Sequence, residues 1–509
     1  MNKRSLIGLF IIWILVVLSF TTTQLTNDFK PFWAYGRFVS NSDASGIGAL
    51  IDTWEMKGLL FKTYLYVEYE LTSKFSTLFD EYGQIVYKFF GLIPFLGVLY
   101  LSIIIIPKQF LHGIRRIEVY FITSILLLSV HFASHFQAEM WGVLLLILSI
   151  SIYLHKGPRA KVLAAIIFSL TFFLKSPIPL LGGSIVLASM LLKKQTVKEG
   201  IKDVIPFAIS SFLFLFFSLS FVYLYYPQEV NEIWNASYYQ HTLFHDSGKI
   251  LISVKNFISG FLKTSLYNPI NFIGFIISFV LMRYWYGERS LMKIAMLIMM
   301  WLFPIIYIFI SNCFFVYHYY LLSFPSILTI LVYLGNNSIW LSKNRIKILV
   351  TSLSLYYVLI LSSVSYINLY EKKTYANYSR RNMIENELYV GCKLGNDSVL
   401  FLDDGTGAFY FSNKSYLRYF YPLPLQRISK KDPFAKMPTY IDTKKKALSY
   451  NGEYLILKKT WFLSFGNNDD IYNKIIAEYN LKNVILTPRY SWKLYKKDEI
   501  DTLLVYKRK

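Results

Sequence analysis

Residues Val204 to Tyr226 read VIPFAISSFLFLFFSLSFVYLYY, a run of 23 residues without a charged side chain. A helix of about 20 such residues is long enough to cross the hydrocarbon core of a bilayer. Ten further apolar runs are long enough, or nearly long enough, to cross: 5–22, 85–106, 117–132, 140–154, 162–174, 178–192, 270–282, 292–310, 320–334 and 347–367. The pattern predicts a mainly α polytopic membrane protein with about eleven transmembrane helices.

The composition supports this fold class and excludes an ordinary soluble enzyme and a disordered chain. Of the 509 residues, 54% are hydrophobic, 18% aromatic and only 17% charged, whereas soluble domains average about 25% charged residues. Abundant aromatic and branched residues exclude a disordered chain. The two cysteines, Cys313 and Cys392, are too few for a disulfide framework or a cysteine-based metal site.

The distribution of the positive charges predicts the orientation of the chain. Loops after even-numbered runs, together with Lys3 and Arg4, hold eighteen Lys and Arg against four Asp and Glu. The short loops near 131–139 and 311–319 hold no Lys or Arg. This asymmetry follows the positive-inside rule and predicts a cytoplasmic N-terminus in a multi-pass protein of the cell membrane. The net charge of +22 therefore suits an anionic lipid surface, and no nucleic-acid partner is expected.

A proline-rich segment decides how the later loops are oriented. Lys175-Ser176-Pro177-Ile178-Pro179 predicts a break between two short helices, with Lys175 at the outer surface. A single helix over 162–192 would instead place the later basic loops outside. With the break, the odd number of spans puts residues 368–509 outside the cytoplasm. We expect a transmembrane region over 1–367, with a long first outer loop at about 23–84.

The C-terminal residues 368–509 have the character of a soluble domain. Val399–Leu402 predicts a strand that enters a turn at Asp403-Asp404-Gly405. Ile471–Tyr479 predicts a helix and Asn483–Leu486 the strand after it. The sequence therefore predicts a small extracytoplasmic α/β domain.

Reactive side chains gather on the predicted outer side of the membrane region. They are Asp28, Asp43 and Asp52; His131, His135, Gln137 and Glu139; Lys175; His241 and His245; and His318 with Tyr319. Charged groups at a membrane edge are costly unless they are paired or face water, so such a collection indicates a functional cavity. A carboxylate can take a proton from an acceptor hydroxyl, and Lys and His can neutralise a departing phosphate. This chemistry suits group transfer from a lipid phosphate.

Four motifs follow one another along the chain on the predicted outer side of the membrane. They are Thr26-Asn27-Asp28-Phe29 with Trp33-Ala34-Tyr35-Gly36-Arg37; Phe136-Gln137-Ala138-Glu139-Met140-Trp141-Gly142; Phe173-Leu174-Lys175-Ser176-Pro177-Ile178-Pro179-Leu180; and Tyr317-His318-Tyr319-Tyr320 with Pro325. Together they resemble the GT-C superfamily of glycosyltransferases, in particular its polyprenyl-phosphate-mannose-dependent mannosyltransferase branch. The chain departs from the branch in lacking Gly-Gln before the fourth span and in having an extra outer domain.

The resemblance implies an inverting transfer of a hexose, most simply mannose, from a polyprenyl-phosphate sugar donor. The acceptor would be a lipid or a glycan outside the cytoplasm. Asp28 would be the general base, with Asp43 and Asp52 as substitutes. Lys175 and His318 would hold the donor phosphate.

The remaining motif residues would contact the substrates. The resemblance assigns this substrate-binding role to Glu139, His135, Gln137 and Tyr319. It implies no metal and no other cofactor. His131, His241 and His245 could bind a divalent metal, but their spacing does not require one.

Two other functions fit a chain with many spans. A polysaccharide polymerase or ligase of the O-antigen type would need outer arginines to grip a pyrophosphate donor, and the outer turns offer chiefly acids, histidines and one lysine. A transporter or flippase of lipid-linked sugars would show inverted repeats and charges near helix midpoints. The sequence shows neither feature.

Overall fold

A computed structural model gives the fold. It describes residues 3–22, 29–40, 46–52, 58–111, 114–128, 136–175, 177–227, 230, 250–267, 269–311, 316–335, 399–402, 416–417, 438–459, 470–489 and 499–509. The chain divides into two compact units. Unit 1 comprises Met1–Thr23, Gly91–Leu224 and Asp246–Tyr366; unit 2 comprises Gln24–Phe90, Tyr225–His245 and Ile367–Lys509. The domain boundary predicted at residue 367 lies outside the described residues.

Sixteen α-helices occur in the described part of the chain. They are α1 (Lys3–Thr22), α2 (Phe29–Ser40), α3 (Ile47–Asp52), α4 (Leu59–Ser73), α5 (Ser76–Ile105), α6 (Arg116–Leu128), α7 (Ala138–Tyr153), α8 (Pro158–Leu170), α9 (Gly182–Lys193), α10 (Val197–Tyr225), α11 (Ile250–Tyr267), α12 (Pro269–Gly287), α13 (Leu291–Ser311), α14 (Ser323–Gly335), α15 (Pro438–Ser449) and α16 (Asp470–Glu478). Short 3₁₀ helices cover Lys108–Phe110, Thr171–Phe173, Ile178–Leu181 and Val316–Leu322.

Four of these helices are long and apolar enough to cross a membrane. Their apolar stretches are Val86–Ile105, Val197–Tyr225, Ile270–Gly287 and Leu291–Phe309. Four shorter apolar helices cover Leu6–Thr21, Ala138–Tyr153, Ile178–Lys193 and His318–Tyr333. A mainly helical chain of membrane character is therefore confirmed. The count of eleven spans stays a prediction, and the last predicted span, 347–367, lies outside the described residues.

Helix α11 was not predicted from the sequence, because no long apolar run lies between the runs at 204–226 and 270–282. Lys255 and Lys263 interrupt its apolar run. The helix packs closely against the 3₁₀ helix at Val316–Leu322: a Cβ on Gly260 would meet the Tyr319 hydroxyl at 2.2 Å. A glycine is thus required at this crossing.

Helix α7 is the central element of unit 1, since nearly every side chain along its 16 residues is buried. A helix that is apolar all round belongs in the interior of a bundle. The Ser149 hydroxyl donates to the Ala164 carbonyl of α8 at 2.9 Å. Gly142 lets Ile178 approach so closely that a Cβ would meet its Cδ1 at 2.7 Å. Both contacts fix α7 against the α8–α9 pair.

In unit 2, the C-terminal residues form a four-stranded sheet of order β1-β2-β4-β3. The strands are β1 (Leu400–Leu402), β2 (Tyr454–Lys458), β3 (Tyr479–Arg489) and β4 (Glu499–Arg508). β1 and β2 are parallel and the other pairs antiparallel. Leu400, Leu457 and Ile475 of α16 lie in the core of this domain. The predicted strand, helix and strand are therefore confirmed as β1, α16 and part of β3.

Unit 2 also contains the helices of the first predicted outer loop. Every described side chain of α2 from Phe32 to Val39 is buried. Trp33 donates its indole N–H to the Thr72 hydroxyl of α4 at 3.1 Å. Phe38 contacts Phe401 of β1, with ring centroids 6.1 Å apart. Helix α2, which begins at the residue after Asp28, therefore packs against both α4 and the C-terminal sheet.

Candidate functional site

Three of the residues singled out from the sequence meet in unit 1. The Lys175 ammonium lies 2.5 Å from Glu139 Oε1 and 3.0 Å from His318 Nε2. His318 Nε2 lies 3.6 Å from the same carboxylate oxygen. We call Glu139, Lys175 and His318 the N-terminal cluster, because they surround the first turn of α7. In the sequence, Lys175 is 36 residues from Glu139, and His318 is 143 residues from Lys175.

Glu139 is positioned by the way α7 begins. Phe136, two residues before the helix, has φ 48°, a conformation that costs an ordinary side chain about 1–2 kcal/mol. Its ring is fully buried and contacts those of Phe20, Phe95 and Trp141 at 5.5–5.9 Å. This packing holds the entry of the helix. Glu139 follows in the first turn, where the helix dipole favours a negative charge.

Lys175 is positioned by the predicted break between two helices. Helix α8 ends at Leu170, and two 3₁₀ turns separate it from α9. Pro177 and Pro179 have no backbone N–H, so an α-helix cannot continue through them. The Ile178 N–H donates to the Lys175 carbonyl at 3.0 Å. Lys175 thus lies at a tight turn between α8 and α9, and its side chain reaches Glu139 from there.

His318 is positioned by a 3₁₀ helix of seven residues, Val316–Leu322, which is long for this tightly wound form. Its neighbours anchor it on both sides. The Asn271 amide donates to the Tyr319 carbonyl at 3.0 Å, and the Tyr320 hydroxyl donates to the Leu127 carbonyl at 3.2 Å. Pro325 lies in the first turn of α14, where a missing N–H is tolerated. His318 itself is 2% exposed.

The charges of the N-terminal cluster are buried, and one carboxylate oxygen lacks a hydrogen-bond donor among the described residues. Side-chain exposure is 0% for Glu139, 3% for His318 and 19% for Lys175. Glu139 Oε2 accepts no hydrogen bond from any residue that the structure describes. A buried carboxylate oxygen without a donor is energetically unfavourable. The arrangement therefore places two basic side chains and an unsatisfied carboxylate oxygen at one point of unit 1.

Tyr307 of α13 is a fourth residue of this site, and the sequence analysis missed it. Its buried ring lies edge-on to the His318 imidazole, with centroids 5.8 Å apart and planes at 89°. The Lys175 ammonium lies 5.8 Å from the centre of the same ring. The only sequence signal is a tyrosine three residues after Pro304 in an apolar run, which is also typical of ordinary packing.

Two predicted substrate-binding residues lie close by in the chain. Gln137 is buried at the N-cap of α7, where its carbonyl accepts the Met140 N–H at 3.0 Å. The Tyr319 hydroxyl donates to the Phe257 carbonyl of α11 at 3.1 Å. Tyr319 therefore has a packing contact, and its substrate-binding role stays a prediction, as does that of Gln137.

The predicted general base and one predicted ligand cannot be placed. Asp28 and His135 lie outside the described residues, as do Asp43, His131, His241 and His245, while only the backbone of Asp52 is described. Among the described residues no three His, Cys, Asp or Glu side chains are grouped to hold a metal ion. The expectation of a metal-free site stays a prediction.

The opposite end of α7 holds a second group of charges, which we call the C-terminal cluster: Lys161, Lys193 and Asp203, beside Tyr153. Asp203 Oδ2 lies 3.0 Å from the Lys193 ammonium and 3.4 Å from that of Lys161. It also accepts from the Gln195 amide at 3.1 Å. Both lysines donate to the Tyr153 carbonyl. These cations cap the last turn of α7, as the helix dipole favours.

Comparison of the chain with protein-family models, with curated proteins and with solved structures finds no match.

Proposed function

We propose that this protein is a membrane glycosyltransferase of GT-C type. It transfers a hexose, most simply mannose, from a polyprenyl-phosphate sugar to a lipid or glycan acceptor. In this proposal the N-terminus is cytoplasmic, and the N-terminal cluster and the C-terminal domain are on the outer side. About eleven spans carry the site.

The single observation that supports the proposal is the convergence of Glu139, Lys175 and His318. The resemblance named all three from motifs far apart in the chain, and they lie within 3.6 Å of one another. Chance packing of an apolar bundle does not favour this, because buried ion pairs contribute little net stability. Ionisable residues inside a membrane bundle are by default functional.

The cluster suits the leaving group of the proposed reaction. When the bond between the sugar and the phosphate oxygen breaks, its electron pair stays on the phosphate, whose negative charge increases by one. The Lys175 ammonium can donate to that oxygen, and His318 can also donate once its Nε2 is protonated; the two nitrogens lie 3.0 Å apart. Donors placed where charge develops stabilise the transition state more than the ground state.

The other half of the reaction rests on the sequence resemblance. Asp28 would accept the proton of the acceptor hydroxyl as the oxygen attacks the anomeric carbon from the opposite face, which inverts its configuration. The proton ends on Asp28 and the sugar on the acceptor. No electrons are exchanged with a cofactor.

Transfer of a radiolabelled sugar tests the proposal. Synthetic polyprenyl-phosphate mannose and polyprenyl-phosphate glucose are offered to membranes containing the wild type, Asp28→Asn or His318→Ala, with and without a chelator. We expect one donor to be used, with activity lost in Asp28→Asn. Chelator-insensitive transfer would support a metal-independent mechanism.

Two results would count against the proposal. The first is no transfer from either donor. The second is full activity of Asp28→Asn together with His318→Ala. Transfer only from a pyrophosphate-linked oligosaccharide would favour the polymerase or ligase of O-antigen type. Movement of an intact lipid-linked sugar across the bilayer would favour the flippase.

A further inference from the structure

One carboxylate oxygen in the N-terminal cluster faces two bases at once. Glu139 Oε1 lies 2.5 Å from the Lys175 ammonium and 3.6 Å from His318 Nε2. Any anion that binds these two bases must approach this fully buried carboxylate. Like charges at such distances repel strongly when water is excluded. Glu139 therefore competes with an anionic ligand for Lys175.

The second oxygen of Glu139 shows that the carboxylate is not a finished structural partner. Glu139 Oε2 is buried and accepts no hydrogen bond from a described residue. At the other end of α7, Asp203 is 29% exposed, and its Oδ2 receives Lys193, Lys161 and Gln195. A fully buried carboxylate has no such access to water, so one that served only to stabilise the fold would be expected to have both oxygens hydrogen-bonded.

We propose that Glu139 is a counter-charge that limits how tightly the site holds the phosphate product, so that it speeds product release. The proposal rests on the proposed function for the nature of the product, a polyprenyl phosphate. Glu139 is a positioning residue here: it acts through Lys175 and His318.

The charges of donor and product give the effect its direction. The donor is a phosphodiester with one negative charge, and the product is a monoester with about 1.5–2 negative charges at pH 7. Repulsion by Glu139 therefore weakens binding of the product more than binding of the donor. The two bases can then stabilise the charge that develops in the reaction without retaining the lipid phosphate afterwards.

The test measures binding of farnesyl phosphate, a monoester probe, and farnesyl methyl phosphate, a diester probe. The full-length protein is used in detergent. In Glu139→Gln we expect about tenfold tighter binding of the monoester, or about 1.4 kcal/mol. The diester carries half to two thirds of the monoester's charge and should therefore bind only about threefold to fivefold more tightly. Multiple-turnover transfer should slow, whereas the first turnover should keep its rate.

Asp203→Asn is the matched control, since it removes the same charge from the C-terminal cluster of the same helix. It should leave the affinity for both probes within about twofold of the wild type. If Glu139→Gln does not fold, Glu139→Asp replaces it. The shorter side chain draws the carboxylate away from Lys175, and monoester binding should tighten by about threefold.

Monoester binding that is unchanged or weaker in a folded Glu139 variant would overturn the inference, because a purely structural partner of Lys175 predicts that loss. A wild type that binds neither probe would instead count against the proposed function. The two failures are thus distinguishable.

Discussion

Glu139 at the first turn of α7 and Tyr153 at its last residue each lie beside lysines from later segments of unit 1. The helix has 16 residues, so its two ends lie about 22 Å apart. At the C-terminal cluster, Lys161 and Lys193 donate to main-chain carbonyls and share Asp203. At the N-terminal cluster, Lys175 shares one oxygen of Glu139 with His318, and the other oxygen accepts no hydrogen bond from a described residue.

Similar residues thus have different surroundings at the two ends of α7. The lysines of the C-terminal cluster complete a helix terminus, which leaves orphan carbonyls that a cation satisfies. At the N-terminal cluster the helix dipole favours the Glu139 carboxylate, but its buried Oε2 accepts no hydrogen bond from a described residue. We therefore place the proposed ligand at the N-terminal cluster rather than at the C-terminal cluster.

The largest contrast is expected between removal of the lysine at the N-terminal cluster and removal of the one at the C-terminal cluster. Lys175→Met should lower sugar transfer by about a hundredfold to a thousandfold, as expected for loss of a donor to developing charge. Lys193→Met, the matched change at the C-terminal cluster, should lower transfer less than about threefold. Initial rates in purified protein check both. Equal losses of transfer rate in the two variants would contradict the different roles that we assign to the two clusters.

The two histidines near these ends give the next largest contrast. His318→Ala should reduce transfer by about a hundredfold if its N–H assists the leaving phosphate. His155, exposed beyond the C-terminal end of α7, contacts the Ile105 carbonyl at 2.6 Å. His155→Ala should leave transfer nearly unchanged and cost about 1 kcal/mol of stability at most. Transfer rates and thermal midpoints separate an effect on catalysis from an effect on stability. Unchanged transfer in His318→Ala would contradict its proposed role at the donor phosphate.

Tyr307 gives a smaller effect, since the contacts that its neutral ring makes with Lys175 and His318 are weaker than an ion pair. Loss of an edge-on aromatic contact costs about 0.5–1.5 kcal/mol, so Tyr307→Leu should lower kcat about threefold to tenfold. Tyr307→Phe keeps the ring and should restore most of the rate. If both variants behave alike, the ring does not position Lys175 and His318.

The smallest effect on transfer is expected from Glu68 of α4, a buried acid in unit 2 that belongs to neither cluster. Burial raises the pKa of Glu68 from 4.5 to about 8, against the lowering effect of a hydrogen bond with Tyr64. Unfolding therefore releases a proton between about pH 5 and pH 8, and stability falls as the pH rises through that window. Glu68→Gln should flatten this dependence in thermal melts from pH 5 to pH 8. An unchanged slope would show that Glu68 is ionised in the folded protein.

Much of the local structure follows from sequence pattern. The apolar runs at 140–154 and 204–226 form helices because no charged residue interrupts them. Pro177 and Pro179 prevent one α-helix from running from α8 into α9, because they lack a backbone N–H. The pattern of apolar runs also identifies Glu139, Lys175 and His318, because each is a polar residue near the end of such a run.

Other features could not be read from the sequence. Helix α11 contains lysines and resembles a loop until its packing on Tyr319 is known. Tyr307 is one of 41 tyrosines, and only the three-dimensional contact with His318 distinguishes it. The unpartnered Glu139 Oε2 is likewise a property of packing. Residue identity therefore indicates the chemistry, whereas contact geometry selects which residues share a site.

The most direct test is sugar transfer from a defined polyprenyl-phosphate hexose, compared between Lys175→Met and Lys193→Met in protein of equal thermal stability. We expect the wild type to transfer the sugar, Lys193→Met to do so at nearly the same rate, and Lys175→Met to lose about a hundredfold or more of that rate. Transfer that survives in Lys175→Met would contradict the assignment of the N-terminal cluster to the donor phosphate.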